Sequence, residues 1–198
     1  MYRFLSHGFL FSVLSLFNLA CGSYETVHIK DYKVFVETDS YELRETIDSL
    51  TAQYNDDFGG EALEIVDDRE EANSYIRFID GLKSEENKLG LGQWITVTAN
   101  EGQDIASGGS GNLERTVVYS MELDFDLENF ESKQIKRDDK DSGEWRHLYH
   151  LFCHEVGHGL QMDHEASLDS VMYRSIPENS RDFVNYDKYF MNARNFFQ

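Results

Sequence analysis

The chain has 198 residues, enough for one domain of ordinary size, and carries 37 acidic against 18 basic side chains, a formal net charge of −19. That acidity excludes nucleic acid as a partner, because a phosphate backbone would be repelled; solubility is its plain consequence and a preference for basic substrates its sharper one. Hydrophobic residues make up 40% and aromatic residues 14%, which suffices for a core and excludes a disordered acidic chain.

Residues 1–20 read as a signal peptide. One arginine, Arg3, is followed by an apolar run from Phe9 to Ala20 and then by Cys21. About 12 apolar residues suit a signal h-region and are too few to span a bilayer. They are apolar on every side, whereas a buried surface helix would show a stripe. Cys21, between Leu19-Ala20 and Gly22, resembles the lipid-modified cysteine of a bacterial lipoprotein signal, although Asn18 stands where leucine is usual. The expectation is an exported, cell-envelope lipoprotein at the periplasm or outer surface, with Cys21 as the candidate lipidation site; plain secretion is the alternative. Residues 21–30 form a short tether, and 31–198 the domain. Cys153 lies in an apolar-rich segment and reads as a small buried residue, not half of a disulfide framework.

Val34–Val36 reads as a strand. Asp39 or Ser40 then caps a helix with Leu43, Ile47, Leu50 and Tyr54 on one face, ended by Gly59-Gly60. Leu63–Val66, Tyr75–Ile79 and Trp94–Thr98 follow as strands, and GGSG at 108–111 as a loop. From Val117 to Asp126 apolar and polar residues alternate, predicting a strand with one wet face. After the charged break at 136–143, Asp141 and Glu144 have the spacing of a capping box, opening a helix near residue 142. Trp145, Leu148, Leu151, Phe152, Val156 and Leu160 give it an apolar side. Residues 186–197 form a last helix docked by its aromatics. The order predicts an α+β fold with a mixed sheet and helices packed on it.

The stretch HEVGHGLQMDHE (154–165) holds the chemistry. His154 and His158 are about one helical turn apart, so both imidazoles project from one face and can grip one ion. Glu155 points roughly 100° away, where it reaches a water on that ion rather than the ion itself. This is the mechanical content of H-E-x-x-H, two zinc ligands and a general base. A catalytic zinc needs a third protein ligand and an open position. His164 supplies the ligand if the helix stops after His158 and the chain turns back; on a continuing helix it would sit roughly 240° off the face. Gly157, Gly159 and Asp163 suit such a break.

With His154, Glu155, Gly157, His158, Leu160 and His164 in this order, the chain resembles the metzincin metalloproteases and, within them, the matrixins. That resemblance implies a twisted mixed sheet, an active-site helix, a C-terminal helix and a Met-turn under the zinc ligands; Met172, in Ser170-Val171-Met172-Tyr173, stands at the matching distance. It further implies Zn2+ on His154, His158 and His164, with Glu155 as the base in hydrolysis of protein or peptide substrates, the substrate adding a strand to a sheet edge near Trp94–Thr98. Gln161 departs from the family, which has glycine there because the backbone turns left-handed, and Arg174 stands where proline is usual. Calcium, which some matrixins use, has Asp104, Asp124 and Asp126 as candidates, without EF-hand spacing. His147 and His150 read as exposed helix histidines, with lining the cleft or binding a second ion as the alternative; Tyr173 reads as a packing residue, with a hydrogen bond to a developing oxyanion as the alternative; and Glu165 reads as solvated or supporting a ligand. The expected state is a monomer. The competing class is a non-catalytic zinc-binding lipoprotein; an adhesion protein on a retired protease fold would need a lost ligand or a lost Glu155.

Overall fold

Alternation sets the central strands. In β2 (Tyr32–Glu37), Tyr32, Val34 and Val36 are buried and the residues between them half-buried. β3 (Leu63–Val66) and β4 (Ser74–Ile79) run parallel to β2, with Val34 opposite Ile65 on one side and Val36 opposite Ile76 on the other. β6 (Leu113–Asp126) runs parallel to β4, pairing Arg77 with Asp124 and Phe78 with Phe125. β5 (Gly90–Glu101) pairs with β6. The computed structural model describes residues 24–28, 32–83, 88–101, 113–134, 139–176 and 184–197. Residues 1–20, Cys21, Asp104 and the 108–111 loop lie outside them. The chain divides into two units, Met1–Thr26 with Thr98–Thr116 and Val27–Val97 with Val117–Gln198. The first unit contributes most of β1 (Tyr24–His28), which falls in the segment read as a tether, and the far ends of β5 and β6. The fold and site below belong to the second.

The helices obey their local signals with two corrections. α1 (Tyr41–Phe58) is capped by Ser40, whose Oγ accepts the Leu43 N–H at 3.3 Å, and it ends at Gly59, with φ 83°. α2 (Leu127–Gln134) was not foreseen. It starts directly from β6, where Asp126 Oδ1 accepts the Asn129 N–H at 2.8 Å as an N-cap carboxylate does. α3 (Gly143–Gly159) is capped by Ser142, whose Oγ accepts the Trp145 N–H at 3.1 Å. The expected Asp141–Glu144 capping box is therefore displaced by one residue, because Ser142 is the last residue with extended φ and ψ. α4 (Tyr186–Phe196) closes the chain, its N-terminus capped by Asn185.

The core sits where α1, α3 and α4 meet the apolar face of β6. Tyr54 of α1 packs edge-on against Phe152 of α3 and Phe190 of α4, with ring centroids 6.0 and 5.1 Å away. Phe152 stacks on Phe125 of β6 at 6.3 Å. Tyr189 Oη donates to the Cys153 carbonyl at 2.6 Å, fixing α4 to α3 beside the histidines. Each such large apolar side chain contributes about 1.5–3 kcal/mol by leaving water. Cys153 is buried, as its segment predicted.

The wet face expected for β6 is not wet. Ser120, Asp124 and Asp126 are buried, and both aspartates have protein partners. Ser74 Oγ accepts the Met121 N–H, Arg77 Nε donates to Asp124 Oδ1 at 2.7 Å, and Asp126 Oδ2 accepts the Lys83 N–H at 2.8 Å. Arg77 also bridges to Glu122 at 2.9 Å. Period-2 alternation identified the two faces but not what covers the second. The architecture is an α+β fold with a mixed sheet and, among the described residues, four helices. No helix among them is long and apolar enough to cross a membrane.

Candidate metal centre

α3 carries His154 and His158 one turn apart and then stops. The Leu160 N–H donates to the Val156 carbonyl, the Gln161 N–H to His158, and the Met162 N–H back to Gly157 at 2.8 Å. This closure needs a left-handed residue, and Gln161 is it: with φ 65° it is the one non-glycine residue of positive φ among those described. The chain reverses, and His164 returns to the face of His158. Their Nε2 atoms are 3.1 Å apart. The ligand atoms of His154, His158 and His164 all lie within 4.8 Å of one another.

The hydrogen bonds behind the rings decide what they present. His154 Nδ1 lies 2.7 Å from the Val171 carbonyl and His158 Nδ1 lies 3.0 Å from the Met162 carbonyl. A carbonyl only accepts, so each Nδ1 carries the proton and each Nε2 keeps its lone pair, as a metal ligand must. Burial lowers the His154 pKa to about 3, against the opposing pull of its carbonyl partner, and burial likewise lowers that of His158. Both rings are neutral, as coordination requires. A tetrahedral zinc with bonds of about 2.0–2.1 Å separates its ligand nitrogens by about 3.3 Å, which the His158–His164 pair already approaches. The three nitrogen donors can hold a metal ion, and a three-histidine set is one that zinc accepts.

Glu155 occupies the other side of α3, against the start of β5. A Cβ on Gly90 would lie 2.6 Å from Glu155 Oε1, and one on Gly92 would overlap the Glu155 carbonyl, so only glycine lets this strand come so close. Burial pushes the Glu155 carboxyl up to about 8; the Gly92 N–H opposes this, Asp124 adds to it and Lys88 opposes it. Glu155 Oε2 is buried and has no hydrogen-bond partner among the described residues. An orphaned carboxyl oxygen is costly, and Glu155 lines the same cleft as His154, His158 and His164.

Met172 lies under the helix, where a Cβ on Gly157 would overlap its sulfur. Its turn is tied to the site on both sides. The Val171 carbonyl accepts from His154 and, at 3.2 Å, from His150, while the Met172 carbonyl accepts the Glu165 N–H at 2.8 Å. The Glu165 side chain, part-exposed, pairs with Lys188 of α4 at 2.6 Å. Tyr173 joins the same structure through a bridge to Glu165.

Two readings change here. His147 and His150 are not exposed; they are 3% and 1% accessible. α3 is covered on nearly all sides, so a helical-wheel reading that assumes one wet face fails for it. Asp124 and Asp126 are held by Arg77 and by backbone N–H groups, leaving no calcium cluster there; the one group of three metal-capable side chains among the described residues is the histidine set. The roles of Gly90, Gly92 and the Val171 carbonyl were missed. The G-x-G opening β5 was the available signal, since glycine inside a strand marks close backbone approach.

A cleft of about 590 Å³ opens beside these residues, bordered by β5, α3 and the segment after Met172, and of a size that takes small ligands or a peptide side chain. Trp94 and Ile95 of β5 are exposed, at 45% and 36%. No family model matches the chain, and no curated protein matches it. Fold and site together define an α+β protein with a three-histidine group able to hold a metal ion.

Proposed function

We propose that the chain is a zinc-dependent endopeptidase of metzincin type, exported and anchored to the cell envelope through a lipid on Cys21. The observation that carries the catalytic part is the orphaned Glu155 Oε2 on the same helix as two of the three metal-ready histidines.

In this reading His154, His158 and His164 hold zinc through nitrogen. The ion supplies a Lewis acid that polarises the scissile carbonyl and makes the attacking water more acidic. Glu155 Oε2 takes the proton that leaves the water and delivers it to the departing amide nitrogen. Its burial makes it a stronger base than a solvated carboxylate. β5 orients the substrate by strand addition, its exposed Trp94 and Ile95 covering the extended peptide. Met172 and Val171 keep the histidine rings in place.

The non-catalytic zinc-binding alternative draws on Gln161 pulling His164 away or on a closed cleft. His164 lies within reach of His158, and the cleft is open, so neither support is present. The test is cleavage of a diverse peptide library by zinc-loaded residues 22–198, compared with Glu155→Ala. Cleavage by the parent alone supports the endopeptidase; silence from both, with one zinc bound per chain, sinks it. For the anchor, loss of membrane fractionation and of acyl labelling in Cys21→Ala is the expected result.

A further inference from the structure

The cleft beside Glu155 inverts the charge balance of the chain. Overall, acidic side chains outnumber basic ones 37 to 18. Around the cleft, Lys83, Lys88, Lys133 and Arg174 all contribute to the walls, and among the described lining residues Glu155 is the one carboxylate. These cations come from four segments: the turn after β4, the residues before β5, α2, and the chain after Met172. No basic run in the sequence gathers them; the fold does.

Among the described residues, the two buried acids of β6 nearest this wall are already engaged. Asp126 is engaged by the N–H groups of Lys83 and Asn129, and Asp124 by the Arg77 guanidinium. Leu89, Leu151 and Ile176 line the same cleft. Such apolar walls lower the local dielectric and strengthen the field of the charges at its rim. The excess negative charge elsewhere acts at longer range, where physiological salt screens beyond about 8 Å.

We infer that this cleft selects acidic peptide segments, taking an aspartate or glutamate side chain of the substrate over Lys83, Lys133 and Arg174. The inference rests on the endopeptidase reading and names its substrate class. It replaces the preference for basic substrates that net charge alone suggests, because the charge a substrate meets is that of the cleft and not that of the chain.

The test uses one peptide set in which each position in turn is glutamate, glutamine or lysine. Binding of fluorescein-labelled peptides to zinc-loaded Glu155→Gln is read by anisotropy, and cleavage of the same peptides by the zinc-loaded parent protein is read by mass. At one position glutamate is expected to improve both affinity and kcat/KM about tenfold over glutamine, with lysine worst and the advantage shrinking as salt rises. Lys83→Glu combined with Arg174→Glu, both at exposed positions, is expected to abolish or invert that order. Equal binding and equal cleavage of all three series overturn the charge inference and leave the endopeptidase standing. A glutamate preference in binding with no cleavage by the parent keeps the inference and sinks the endopeptidase. Neither binding nor cleavage overturns both, and a preference that survives the charge reversal overturns the assignment to these residues.

Discussion

The Nε2 atoms of His158 and His164 lie 3.1 Å apart although six residues separate them on a chain that begins this interval as a helix. The approach depends on one backbone conformation, the left-handed turn at Gln161. A side chain there costs about 1–2 kcal/mol relative to glycine, and the folded domain bears that cost.

Gln161→Gly is therefore expected to stabilise the protein by about 1 kcal/mol, a rise of about 2–4 °C in Tm for a domain of this size. Part of the gain is lost to the greater entropy of the unfolded glycine chain. Gln161→Val, β-branched at the same φ, is expected to lower Tm. Thermal unfolding of the three proteins, each zinc-loaded, checks the order; a Tm for Gln161→Gly below the parent's would mean that the glutamine side chain makes a stabilising contact.

Much of this site was legible because its logic is local. Four-residue spacing places His154 and His158 on one face in any helix, and the offset of Glu155 follows from the same geometry. The need for a break before His164 was likewise arithmetic, and Gln161 makes it. What stayed hidden depends on which segments meet. His150 looks solvated until the Val171 carbonyl meets its ring, and His147 until the fold buries it. Asp124 reads as a wet-face residue until Arg77, 47 positions away in sequence, lies across from it. The cations of the cleft come from four separate segments, and no window of sequence shows them together.

Zinc held by the native protein and not by the unfolded chain stabilises it by mass action. Free zinc at a thousand times its Kd adds about 4 kcal/mol, or about 8–16 °C in Tm. A chelator is expected to remove this increment and fresh zinc to restore it. His164→Ala is expected to shrink the zinc-dependent shift with little change in the Tm of the chelated protein, since His164 is exposed. An unchanged zinc response in that variant would remove His164 from the ligand set.

Gly157 and Met172 form a lock between the helix and the turn below it. Gly157→Ala places a Cβ on the Met172 sulfur and is expected to destabilise by about 1–3 kcal/mol. Met172→Ala leaves a cavity and costs about 2–5 kcal/mol alone. Because the two clash directly, the double variant is expected to lose less than the sum of the singles, by at least about 0.5 kcal/mol. Urea unfolding of all four proteins measures this coupling; strict additivity would mean that the turn does not bear on the helix at this point.

Gly92 tests the approach of β5 to the Glu155 side of α3. An added methyl would overlap the Glu155 carbonyl, and backbone cannot swing aside as a side-chain tip can. Gly92→Ala must therefore push β5 outward and break the bond between the Gly92 N–H and the Glu155 carboxylate. The same methyl would come within 2.9 Å of the His158 Cβ, but the Met162 carbonyl holds the His158 ring, so zinc stoichiometry is expected to stay at one per chain. Peptide cleavage is expected to fall by a factor of about 10² or more, because proton transfer tolerates little displacement of its base. The discriminating result is the pair of readings: zinc retained with cleavage lost assigns the strand a role in placing Glu155. Cleavage at the parent's rate would mean that the strand can retreat without taking the carboxylate with it.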